Sequence, residues 1–187
     1  MPSPVAHSLV ALAILETTRP PGERAVGWRW PLAVVAAAAA ADVDFLTGDI
    51  WGGPYFSHHG VTHGFAAAAA AGIVCCAIAR ASRLERPIRI GLIVALAYAS
   101  HVVLDFFAGD PGTPTDMPVF WPLATATWLA APFQVFVPIE HDGTISGLPA
   151  VMVRPDTLAA MAREALLMGP VLGAVMWLRR RTKRRTA

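Results

Sequence analysis

The stretch Ile88–Phe107, IRIGLIVALAYASHVVLDFF, decides how the chain is read. It is long enough to cross a bilayer, which takes roughly 20 apolar residues as a helix. Yet its second half carries a histidine and an aspartate, His101 and Asp105. They are four residues apart, so a helix stacks them on one face. An ionisable pair inside such a segment is costly and marks a functional site by default.

Working outward, the chain repeats this pattern. Of its 187 residues 55% are hydrophobic and 15% charged, well below the roughly 25% of soluble domains. Mean hydropathy is +0.51. Apolar segments at Pro4 to Thr18, Pro31 to Asp42, Thr62 to Arg80, Ile88 to Phe107 and Leu158 to Leu178 predict an all-α integral membrane bundle of about five helices. It forms a single domain over 1–187. The first two segments are short and alanine-rich. The adjacent Cys75 and Cys76 lie inside the third and read as packing.

Thirteen of the fifteen Lys and Arg fall in three groups. These are Arg19 to Arg29, Arg80 to Arg89, and Arg179 to Arg185. With five crossings all three lie on one face, which the positive-inside rule makes cytoplasmic. The chain is then a multi-pass protein of a bacterial-type inner membrane, N-terminus outside and C-terminus inside, with 179–187 a basic cytoplasmic tail. The groups fit membrane topology better than nucleic-acid binding, and no nucleic-acid partner is expected. The N-terminus has no basic residue before its apolar stretch and reads as retained rather than as a signal peptide. Residues 108–155 hold half of the 16 prolines and form a long extracytoplasmic, lid-like segment. Within it PFQVFVPI, EHDG and TISGLPAVMV resemble a short β-hairpin.

On the predicted outer face the polar residues collect. His7 lies near the start of the first helix. Asp42 and Asp44 end the second. His58, His59 and His63, in SHHGVTHG, open the third, and His101 and Asp105 lie in the outer half of the fourth. Asp42 and Asp44 stand about 200° apart on an ideal helix, so both turn inward only if the helix ends between them. At a helix C-terminus the dipole disfavours their charge, and a divalent metal would compensate it. Mixed imidazole and carboxylate ligands suit zinc, manganese or iron. The ligand pool is His7, Asp42, Asp44, His58, His63, His101 and Asp105, enough for one or two ions. Asp42 or Asp44 is a candidate general base. His141, in EHDG, reads as a solvated turn residue. In the SHHGVTHG loop Gly60 is expected to make the turn and Thr62 to cap the third helix.

These motifs resemble a family of membrane-bound metal-dependent hydrolases, also described as LexA-binding. Its pattern runs as an N-terminal His, Asp-x-Asp, His-Arg-Gly-x-Thr-His-Ser, Ser-His-x-x-x-Asp and a closing Leu-Trp-Pro. Here these stand as His7, DVD from Asp42, HHGVTHG from His58, SHVVLD from Ser100 and VFWP ending at Pro122. Two positions depart, His59 for the Arg and Gly64 for the Ser. The resemblance implies hydrolysis of a phosphoester or lipid substrate at the extracytoplasmic face, with membrane lipids as surroundings and His59 towards an anionic substrate. The alternatives are a metal or proton transporter and a non-catalytic regulatory membrane protein.

The topology has a direct test. In a background lacking Cys75 and Cys76, Thr113→Cys should react with an impermeant thiol reagent added outside, and Glu85→Cys should not. The reverse pattern would place the His and Asp motifs in the cytoplasm.

Overall fold

The computed structural model describes residues 2–19, 27–46, 59–108, 117–124, 134–137, 139 and 147–186. The first helix, α1, spans Pro4–Thr18, as expected. Ser3 is its N-cap, accepting the Val5 N–H at 3.1 Å, and Pro4 lacks an N–H that would go unmet. Helix α2 spans Arg29–Ala38 and tightens into a 3-10 turn over Ala39–Val43. A second 3-10 turn, Val61–His63, leads into α3, Phe65–Ala81. Helix α4 is Pro87–Phe106, α5 is Leu148–Met152 and α6 is Pro155–Thr186.

The all-α reading holds, and no strand occurs among the described residues. Much of the expected hairpin (132–133, 138 and 140–146) lies outside them. Of the rest, Val135 and Phe136 form a bend. Leu148–Met152, expected as strand, is helical with a proline in its first turn, where the fixed φ of proline suits a helix. Helix α6 continues through the basic residues after Leu178 to Thr186. Arg and Lys are good helix formers and their charge suits a helix C-terminus.

Among the described residues two helices are long and apolar enough to cross a membrane, Pro87–Phe106 and Pro155–Thr182. Helix α3, with 17 residues, rises about 26 Å and α1, with 15, about 22 Å. Ten-residue α2 is shorter still. The bundle turns apolar side chains outward, among them Ile73, Ile78, Leu92, Leu96, Leu166 and Val171. Its interior is made of small residues. Ala11, Leu15, Val34, Ala38, Ile93 and Ala97 form one cluster, joining α1, α2 and α4.

Helices α3 and α4 run antiparallel and nearly touch. A Cβ on Gly91 would lie 2.5 Å from the Gly72 carbonyl oxygen and 2.8 Å from Cys76 Cβ. Only glycine permits that approach, a device of helix packing in membranes. Helices α1 and α6 run parallel and are clasped at both ends. Glu164 accepts the Ser3 N–H, and Arg179 donates to the carbonyl oxygens of Glu16 and Arg19. The starts of α1 and α3 and the end of α4 therefore share one end of the bundle. Arg19, Arg86, Arg89 and Arg179 sit at the other.

Gly91→Val should cost about 1–3 kcal/mol through overpacking, read as a lower unfolding midpoint in detergent. Gly173→Ala should not lower it, since nothing lies within 4 Å of the added Cβ. Equal effects would mean that the α3–α4 approach is not the tight contact.

Candidate functional site

Each polar motif reaches the site by a local departure from plain helix. Asp42 lies in the 3-10 turn that follows α2, and Asp44 follows it at once. The tighter winding aims the two carboxylates at opposite nitrogens of one imidazole. Asp44 Oδ2 lies 2.9 Å from His63 Nδ1, and Asp42 Oδ1 lies 3.8 Å from His63 Nε2. Asp44 Oδ2 also accepts the Thr62 hydroxyl at 2.8 Å and the His59 N–H at 3.1 Å.

The turn in SHHGVTHG differs from expectation. His59, not Gly60, takes the left-handed conformation, with φ 66°, while Gly60 has φ −77°. Left-handed backbone on a residue with a Cβ is strained and persists only where its surroundings hold it. Here the Asp44 bond to the His59 amide does so. Thr62 is not the helix cap either: Gly64 is, without a side-chain bond, and the Thr62 hydroxyl serves Asp44. The loop is tied further by Tyr98, whose hydroxyl donates to the Thr62 carbonyl at 2.8 Å. The Phe65 N–H donates to Val119 O at 2.9 Å. Residues 117–124 thus pack over the start of α3.

The side chains meet around Asp105. Its Oδ2 lies 2.8 Å from His101 Nε2, 3.2 Å from His63 Nε2 and 3.7 Å from His59 Nε2. Its Oδ1 lies 3.3 Å from His7 Nε2. The His63 and His101 Nε2 atoms are 3.3 Å apart, and Asp42 Oδ1 is 3.3 Å from His101 Nε2. The His7 ring stacks on that of His101 at 3.9 Å. His63, His101 and Asp105 are fully buried, and the Asp42 side chain is 26% exposed.

One donor from each of Asp42, His63, His101 and Asp105 lies within 4.8 Å of every other. A tetrahedron with metal–ligand bonds of about 2.0–2.1 Å has edges of about 3.3 Å. Five of the six separations here run from 2.8 to 3.8 Å. Moreover, Asp42 Oδ1 and both Asp105 oxygens are buried without a hydrogen-bond partner among the described residues. The four donors crowd around one small volume, and their residue types could hold a metal ion.

Six of the expected residues therefore converge: His7, Asp42, His59, His63, His101 and Asp105. Asp44 is held on the Nδ1 side of His63, away from that point. His58 and His141 lie outside the described residues. Tyr98 was not expected, although it stands three and seven residues before His101 and Asp105, on the same helix face. Two cavities, of about 290 and 320 Å³, open elsewhere. Arg86 and Arg89 line one, Arg19 and Arg179 the other, both at the end remote from the histidines.

The chain belongs to the YdjM inner membrane protein family, whose family model matches residues 1–182. Comparisons with curated proteins and with solved structures give no match.

Asp44→Ala should loosen the 59–63 loop. The variant loses three contacts to a buried carboxylate, and bonds to charged groups contribute about 1.5–3 kcal/mol each. The expected result is faster hydrogen exchange at the His59 amide and a lower unfolding midpoint. Unchanged exchange would show that Asp44 does not hold the turn.

Proposed function

We propose that this YdjM-family protein is a membrane-bound, metal-dependent hydrolase acting on a phosphoester or lipid substrate at the extracytoplasmic face. The observation that carries this is the set of four donors from three motifs, five of their six separations near the edge lengths of a tetrahedral site. In this reading His63, His101 and Asp105 are the buried ligands of a divalent metal, zinc first. Catalytic zinc sites keep three protein ligands and one open position. Asp42, on the partly exposed side, closes the fourth position until substrate or water competes for it. A metal bound there would lower the pKa of a bound water and polarise the scissile oxygen.

The protein's own groups have distinct tasks. Asp44 holds the His63 Nδ1–H, which keeps Nε2 free to ligate; such carboxylate partners orient metal-bound histidines widely. Asp42, the more exposed of the two carboxylates, would take the proton of the attacking water. His7 and His59 flank the Asp105 carboxylate and limit its rotation. His59 is turned into the cluster beside Asp105, so holding that carboxylate replaces the expected role towards substrate.

The multi-pass topology is part of the proposal. The parallel run of α1 and α6 supports it, because an odd number of crossings sends the first and last helices the same way. Transport is less well supported. The core cluster beyond the site contains only Ala, Leu, Val and Ile, which offers an ion no polar path.

Elemental analysis of the purified protein tests the ligand set. About one zinc per chain is expected for the site described. His101→Ala and Asp105→Ala should each lose most of it, and His141→Ala should keep it. Equal metal content in all three would sink the assignment. A screen of phosphomonoesters, phosphodiesters and phospholipids on the zinc-loaded protein then tests the reaction class, with Asp42→Asn expected to lose at least about a hundredfold in rate as a missing base.

A further inference from the structure

Glu164 is a buried carboxylate that the proposed chemistry does not use. It is 1% exposed, on α6, facing the first turn of α1. Both its oxygens accept the Ser3 N–H, at 2.9 and 3.0 Å, and the Ser3 hydroxyl donates to Oε2. The same hydroxyl oxygen accepts the Val5 N–H. One carboxylate on α6 therefore fixes where α1 begins and how it is rotated. A negative charge at that point also suits the positive end of the helix dipole.

One turn further along, on the same face of α1, stands His7. Its ring lies on His101 at 3.9 Å and its Nε2 faces Asp105 Oδ1 at 3.3 Å. Neither of its ring nitrogens has a hydrogen-bond partner among the described residues. Its polar contact is with the Asp105 carboxylate, and how well it reaches that group depends on the depth and rotation of α1.

We propose that Glu164 is a positioning residue, which through Ser3 sets the first turn of α1 so that His7 stays against His101 and Asp105. Its effect on metal binding rests on the reading of the site above, whereas its control of His7 does not. Glu164 touches none of the converging donors and acts through α1 alone.

The test reads both levels. In nitrogen-15 histidine spectra of the metal-free protein in detergent, the signal removed by His7→Ala identifies His7. Glu164→Ala should shift or broaden that signal and leave the His63 signal in place. Glu164→Gln, which keeps an acceptor for the Ser3 N–H, should restore most of it. If Glu164→Ala does not fold, Ser3→Ala breaks the same link and should move the same signal. Zinc affinity, measured by competition with a chelator, should fall about tenfold in Glu164→Ala, the usual scale for groups behind a ligand. It should fall no further when Glu164→Ala is added to His7→Ala. An unmoved His7 signal in the folded variant overturns the inference, as does an equal loss of zinc affinity with and without His7. If the wild-type protein binds no zinc, the metal reading fails and the His7 signal alone decides this one.

Discussion

The carboxylate of Asp105 is the group around which the polar part of this protein is organised. It is fully buried on a largely apolar helix. An uncompensated charge there costs several kcal/mol even after relaxation. Four imidazoles answer it, those of His101, His63, His7 and His59, at 2.8 to 3.7 Å. They come from α4 itself, from the loop before α3 and from α1. A second carboxylate, Asp42, enters the same space from the turn after α2. So much converging polarity in an apolar bundle has no packing rationale. The divalent cation proposed above would give it one, by balancing two carboxylates and taking up imidazole lone pairs.

The rest of the bundle serves that convergence. The glycine contact of Gly72 with Gly91 brings α3 close to α4, which puts His63 within reach of His101. Tyr98 and Asp44 then hold the loop that carries His59 and His63. The clasps at Glu164 and Arg179 lock α1 to α6, and α1 carries His7. The arginine-rich end has its own cavities and shares no donor with the site. The arginine-rich end and the site thus occupy opposite ends of the described bundle.

Much of this was legible in the sequence, and the exceptions have physical reasons. The apolar stretch placed α1 to the residue. The four-residue spacing of His101 and Asp105 placed them together. The two aspartates of DVD could not be told apart, because their roles depend on a switch from α to 3-10 winding after Ala38. No propensity marks that switch within a run of alanines. The left-handed residue was expected at Gly60, since glycine bears that conformation without strain. His59 takes it instead, held by a tertiary bond to Asp44 that local sequence does not reveal. Glu164 carries no mark in its local sequence. Its partner is a backbone N–H 161 positions away. The strand reading of 148–152 failed because alternation over so short a run does not outweigh a proline placed to start a helix.

The metal centre is the claim on which the functional reading turns, and the zinc X-ray absorption spectrum of the purified protein addresses it most directly. A site built from His63, His101, Asp105 and Asp42 should give four nitrogen or oxygen neighbours at about 2.0–2.1 Å. The outer-shell scattering should come from two imidazoles and be halved in His63→Ala. A shell of six oxygens without imidazole scattering, or an edge signal no stronger than buffer, would contradict it.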